Sequence, residues 1–154
     1  MALAVTLHLL AVLIWVGGMF FAYMALRPAA AQLLEPPQRL PLWVGVFGRF
    51  FPWVWGAIAV ILASGYWMLF ARFGGFATAP LYAHAMQGLG IAMMLIFLHV
   101  FFAPYGRLKR AVAAKDFPSA AKALAQIRVL VALNLSLGLA TSAIAAAGRY
   151  LLPV

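Results

Sequence analysis

The sequence contains no cysteine and only two acidic residues, Glu35 and Asp116, among 154 positions. The absence of cysteine excludes disulfides, zinc ribbons, cysteine-ligated iron–sulfur clusters and thiol chemistry. Neither acidic residue lies in a long apolar segment, which argues against paired-carboxylate catalysis, a Ser–His–Asp arrangement and an acidic proton relay. Charged residues make up only 8% of the chain, too few to cover the surface of a soluble domain.

Apolar sequence is what the chain has in abundance, at 68% hydrophobic residues. Four apolar segments, each close to the roughly 20 residues that cross a bilayer, lie at residues 2–26, 50–70, 81–103 and 127–147. We therefore predict an all-α integral membrane four-helix bundle, forming a single transmembrane domain over residues 1–154. The first segment is not expected to be a cleaved signal peptide, because no basic region precedes it.

The formal charge of +9 is concentrated in two connecting segments, residues 27–49 and 104–126. The positive-inside rule predicts that both are cytoplasmic loops, with both termini on the periplasmic side of a bacterial inner membrane. Such loops are expected to contact anionic lipid. Because the basic residues lie between apolar segments, we do not expect a nucleic acid as a partner. Trp43 is expected at head-group level, and Pro104 is expected to bend the third helix before a basic helical hairpin in which Ser119 is the candidate N-cap.

Three histidines lie within the spans, where ionisable side chains are functional by default. The first and third helices run in the same direction, which puts His8 and His84 at matched depth near the outer face. His99 lies roughly 22 Å deeper than His84 at the helical rise and cannot join them. Without a histidine partner, His99 is predicted to be structural or to hydrogen-bond to Tyr23 or Asn134.

Small residues flank both outer histidines, with Ala4 and Ala11 beside His8 and Gly88 beside His84. Such space suits a flat macrocycle with two imidazole ligands, and it equally suits tight helix packing. Trp15 and Gly88 are the further residues predicted to contact a cofactor. Copper is the alternative to haem, with Met19 and Met86 as possible thioether ligands beside the histidines, although methionine also fills gaps in apolar cores.

The sequence resembles the small stand-alone copper-resistance D (CopD)-like membrane proteins. The likeness rests on His8 followed by Trp15 and Gly17-Gly18, on four short spans, and on His84 opening the third helix. It covers essentially the whole chain and implies copper transport or copper tolerance.

The arrangement is more distantly similar to the HemJ-type protoporphyrinogen oxidases, four-helix membrane proteins associated with haem b. The shared features are a helix-one histidine and a third helix with a histidine near each end. Met86 stands where that family has lysine, and Arg128 and Asn134 are present without the Glu and Pro of its fourth helix. These departures count against the oxidase activity.

The leading hypothesis from the sequence is a b-type haem held between helices one and three by His8 and His84, for electron transfer or redox support. The first alternative is a copper transporter or carrier. The second is an accessory subunit in which the histidines only pack. A homodimer or a partner in a respiratory complex is a reasonable expectation, because four short helices offer little surface to enclose a haem.

Overall fold

The computed structural model describes residues 1–151 of the chain, with side chains to residue 148. Within that part the chain is helical without strands, and four helical stretches are long and apolar enough to cross a membrane. This confirms the predicted all-α membrane bundle. The elements are α1 (Ala2–Phe21), a π-helical turn (Ala22–Leu26), α2 (Arg27–Leu33), α3 (Pro36–Phe73), a 3-10 turn (Phe76–Thr78), α4 (Leu81–Phe102), α5 (Pro104–Ala113) and α6 (Phe117–Leu151).

The segment between the first two spans is mostly helical, which differs from the loop predicted over residues 27–49. The first helix continues through the π-helical turn into α2, and α3 begins at Pro36. Pro28 lacks a backbone N–H and would crowd the carbonyl four residues earlier, and the wider turn just before α2 accommodates this defect. At the start of α3, proline at the first helical position has no intrahelical bond to lose.

Trp43 lies in the protein core, with 6% of its surface exposed, and its depth relative to the lipid head groups stays a prediction. One turn later Phe47 is also buried, and its ring stacks on that of Phe51 at a centroid distance of 5.2 Å. Phe51 in turn makes an edge-on contact with Phe97 of α4 at 5.4 Å. The N-terminal half of α3 is therefore a core helix, whereas Trp53, at 66% exposed, faces outward as an interfacial anchor would.

A break at Ala103, with Pro104 at the start of α5, separates the third span from a short amphipathic helix. Helix α5 packs on the first part of α6 and forms the helical hairpin that the sequence predicts. The predicted cap is wrong by three residues. Oδ1 of Asp116 accepts the backbone N–H of Ser119 at 3.1 Å, so Asp116 is the N-cap of α6.

The bundle is built from two main helix pairs, α1 with α3 and α4 with α6. They meet at Gly138 of α6, where a Cβ atom would lie 2.8 Å from Val16 of α1 and 3.0 Å from Met93 of α4. Glycine is therefore needed for the close approach of three helices. This contact sets the spacing of the spans that carry the candidate site.

Candidate functional site

His8 lies half-buried against α3 near the N-terminal end of the first span. Its Nδ1 atom is 2.9 Å from Oγ of Ser64, which is itself buried. The next residue, Gly65, leaves room for the ring, because a Cβ atom there would lie 3.3 Å from Cε1 of His8. The imidazole ring therefore lies against Ser64 and Gly65, two adjacent residues of α3.

The protonation pattern of the His8 ring follows from the partners of Ser64. Oγ of Ser64 lies 2.5 Å from the carbonyl oxygen of Val60, which can only accept. The single hydroxyl proton is therefore donated to Val60, and Oγ must accept a proton from Nδ1 of His8. The neutral ring carries its proton on Nδ1, which leaves Nε2 with a free lone pair. A metal-ligating histidine commonly has the same arrangement, in which one ring nitrogen donates a hydrogen bond and the other binds the metal.

His84 lies exposed in the first turn of α4, and the same reasoning applies to its ring. Its Nδ1 atom is 3.2 Å from the carbonyl oxygen of Pro80. Because a carbonyl only accepts, Nδ1 of His84 is the donor in this contact, and Nε2 is the ring nitrogen without a protein partner among the described residues. Gly88, one turn further along, has open space where a side chain would stand. The clearance that the sequence predicts beside His84 is present.

One turn of α3 links the surroundings of the two histidines. Ser64 bonds to His8, and two residues later the hydroxyl of Tyr66 accepts a bond of 3.3 Å from Nε2 of Gln87, which lies three residues after His84. Helices α1 and α4 therefore flank the same level of α3. The hydrogen-bond partners of the two rings are nevertheless separate, and joint ligation by His8 and His84 stays a prediction.

Trp15 and Met19 follow His8 along α1 and are both buried in the core. Trp15 makes an edge-on contact with Phe97 at 6.2 Å. Met19 lines a cavity of about 420 Å³ that Asn134 of α6 also lines. Oδ1 of Asn134 is buried without a hydrogen-bond partner in the described part of the chain. Trp15 is thus a packing residue of the core, and Met19 is a buried thioether that lines the same cavity as Asn134.

His99 lies exposed near the end of α4, away from the outer histidines. The predicted bond from His99 to Asn134 or Tyr23 is not found among the described residues. Met86 is half-buried in the second turn of α4. Residues 1–148 contain no cluster of three or more His, Cys, Asp or Glu side chains that could hold a metal ion.

The family model described as copper resistance protein D (CopD) matches residues 44–147. The chain belongs to the CopD family. The match includes α3 with Ser64 and α4 with both of its histidines, while His8 lies before it. No curated protein and no solved structure matches the chain. The likeness to HemJ-type oxidases is not supported by these comparisons and stays a prediction.

In this CopD protein the available ligands are imidazole nitrogens and thioether sulfurs, without a carboxylate or thiolate in the spans. That set suits Cu(I), which prefers soft ligands and accepts imidazole. Haem b has no support from the family description. Neither the cavity beside Met19 nor the larger one beside α2 is lined by His8 or His84. Copper, the alternative in the sequence analysis, is the better supported of the two.

The residue that sequence reasoning missed is Ser64. It is visible in the sequence as a lone polar residue in the apolar second half of α3. The depth argument that paired His8 with His84 applies equally to Ser64, because the second span runs back toward the outer face. What the sequence could not give is the rotation of α3 that turns Ser64 toward His8.

Proposed function

We propose that this chain binds copper within the membrane and carries or transports it, with Nε2 of His8 as a ligand. The observation that supports the proposal best is the hydrogen-bond chain from His8 through Ser64 to the carbonyl of Val60. It leaves Nε2 of His8 unprotonated in an apolar helix. A hydrogen bond that sets the tautomer and the orientation of the ring is the support that a metal-ligating histidine requires.

The chemistry of the surrounding spans favours Cu(I) over harder or more highly charged ions. Glu35 and Asp116 are the only carboxylate side chains, and both lie outside the long apolar segments. A divalent ion would thus enter the membrane without a neutralising side chain, at a large desolvation cost. Cu(I) carries a single positive charge, the smallest charge of a copper ion, and it accepts neutral imidazole and thioether ligands.

His84 is the second proposed ligand at the outer end, because its Nε2 has no protein partner among the described residues and its helix flanks the same level of α3. Met86, two residues further along α4, is a possible thioether ligand there. Met19 lies on the His8 face of α1, about 16 Å further into the membrane at the helical rise. A buried thioether at that depth offers a second position for an ion that has passed His8.

The proposed orientation places His8 and His84 toward the periplasm of a bacterial inner membrane. The charge pattern supports it, because most basic residues lie in α2, the first turns of α3, the α5–α6 hairpin and nearby positions. Copper would then meet the histidines from the outer side. The cytoplasmic end carries the positive charge, which would repel a cation there.

The test is Cu(I) affinity measured on the purified protein in detergent, by competition with a chromophoric chelator such as bicinchoninate. We expect one Cu(I) per chain, with binding lost in His8→Ala and weakened in His84→Ala. His99→Ala is the matched control, because it removes an imidazole from the same spans at the other end of α4. Equal affinities for all four proteins, or equal losses in the three variants, would overturn the proposal.

A further inference from the structure

Three arginines from three different helices line one cavity beside α2. They are Arg27 of α2, Arg39 of α3 and Arg128 of α6. The cavity has a volume of about 600 Å³, and the rest of its lining is almost entirely apolar, including Leu40 and Trp43. The three residues are far apart in the sequence, and only the fold brings them together.

No carboxylate side chain is among the residues that line this cavity. The chain has two acidic residues against eleven lysines and arginines. Asp116 is engaged in capping α6, and Glu35 forms no ion pair with any of the three arginines in the described structure. Arg27 lies over the ring of Tyr23 at 4.8 Å, which stabilises its position but does not neutralise it. Three guanidinium groups sharing a partly desolvated space favour an anion between them.

The arginine cavity continues into the apolar cavity of about 420 Å³ that lies beside Met19. Ala22, Phe47 and Val131 line both spaces. Beyond them the second cavity is lined mostly by aromatic and aliphatic side chains of four helices, among them Phe97 and Leu130, and its polar lining residues are Arg49 and Asn134. A molecule with an anionic group at the three arginines and an apolar part along Phe47 and Val131 would match both linings.

We propose that this composite cavity binds an anionic phospholipid. Its phosphate would lie among Arg27, Arg39 and Arg128, and an acyl chain would extend along Phe47 and Val131 into the apolar part. Free inorganic phosphate would satisfy the arginines but leave the apolar part unfilled. A zwitterionic lipid would place a positively charged head group beside the three arginine side chains. The site lies apart from His8 and His84, so this inference does not depend on the copper proposal.

The experiment is native mass spectrometry of the protein released from micelles that contain equal amounts of phosphatidylglycerol and phosphatidylcholine. We expect wild type to retain one phosphatidylglycerol per chain in preference to phosphatidylcholine. The triple variant R27Q/R39Q/R128Q should lose this preference by about a hundredfold, because each basic side chain near anionic lipid contributes roughly fivefold. The charge-preserving variant R27K/R39K/R128K should keep most of it.

The matched control is R110Q/K115Q/K122Q, which removes three positive charges from the α5–α6 hairpin and its connection. It should retain phosphatidylglycerol as wild type does. Equal losses in the two glutamine variants would show a diffuse charge effect and overturn the proposal. Displacement of the lipid by millimolar inorganic phosphate would also overturn it, by showing a free-anion site. Unchanged helical circular dichroism excludes misfolding as the cause of any loss.

Discussion

Oγ of Ser64 on α3 accepts the Nδ1 proton of His8 on α1, across 2.9 Å. If this bond orients a copper ligand, its removal should weaken binding without removing the ligand itself. We expect Ser64→Ala to lower Cu(I) affinity by about ten- to hundredfold, the effect typical of losing an outer-shell partner of a metal-ligating histidine. The measurement is the chelator competition used for His8→Ala.

Ser136→Ala is the control for this variant. Ser136 is exposed on α6, and its hydroxyl donates only to the carbonyl of Ala132 in its own helix. Its removal should leave Cu(I) affinity unchanged. A Ser64→Ala protein with wild-type affinity would mean that the hydrogen bond positions α1 and α3 and has no part in metal binding.

A second prediction concerns the three-helix contact at Gly138. A Cβ atom there would lie 2.8 Å from Cγ2 of Val16, a branched side chain with little freedom to move. We expect Gly138→Ala to lower the free energy of unfolding by about 1–3 kcal/mol, the usual cost of overpacking. Thermal unfolding in detergent measures it. Gly90→Ala is the control, since a Cβ there meets nothing within 4 Å, and similar melting temperatures for the two variants would contradict the prediction.

The sequence predicts the four spans well because hydropathy and length alone determine which segments can cross a bilayer. It predicts the first connection poorly because its prolines suggest a loop. Pro36 and Pro37 instead start α3, while Pro41 and Pro52 lie within it on exposed positions. Helices in membrane proteins tolerate such prolines where neighbouring groups compensate for the missing hydrogen bond.

The candidate site is predictable in its depth but not in its partners. Counting residues from the ends of the spans places His8 and His84 at similar levels. Two contacts agree with that placement: Ser64 bonds to His8, and Gln87, one turn after His84, bonds to Tyr66 in the same turn of α3. Which faces meet depends on helix rotation, and the weak amphipathicity of an apolar helix does not encode rotation. For the same reason the convergence of Arg27, Arg39 and Arg128 could not be foreseen.

A third prediction concerns the pH dependence of the α5–α6 hairpin. Hydrogen bonds from the hydroxyl and amide of Ser119, together with the charge of Lys122, hold the pKa of Asp116 below its ordinary value. A lowered pKa means that the folded state favours the carboxylate. The stabilisation is therefore complete above the ordinary pKa of an aspartate, and it is lost as the pH falls through the lowered value.

Hydrogen exchange of the first-turn amides of α6 measures this effect. We expect severalfold faster exchange at acidic pH than at neutral pH, after correction for the intrinsic rates. Asp116→Asn should remain protected at neutral pH, because asparagine also caps helices, and it should lose the acid dependence. Acid-dependent exchange that persists in Asp116→Asn would assign the effect to another group.

A fourth prediction tests the orientation in the membrane. Because the chain has no cysteine, each introduced thiol is a unique label site. With both termini periplasmic, Ala2→Cys should react with an impermeant maleimide applied to spheroplasts. Lys115→Cys, in the connection between α5 and α6, should react only after the membrane is permeabilised. The wild-type chain controls for background labelling, and the reverse pattern would place the histidines on the cytoplasmic side.

The last prediction concerns the amide of Asn134, whose Oδ1 atom is buried beside Met19 and Phe97 without a partner. A buried acceptor without a hydrogen bond costs about 1–3 kcal/mol, and leucine has nearly the same shape without that cost. Asn134→Leu should therefore raise the melting temperature of the protein in detergent. Asn134→Ala is the comparison, because it removes the same amide but leaves a void. A lower melting temperature for Asn134→Leu would contradict the prediction and show that the amide has a stabilising partner in the membrane.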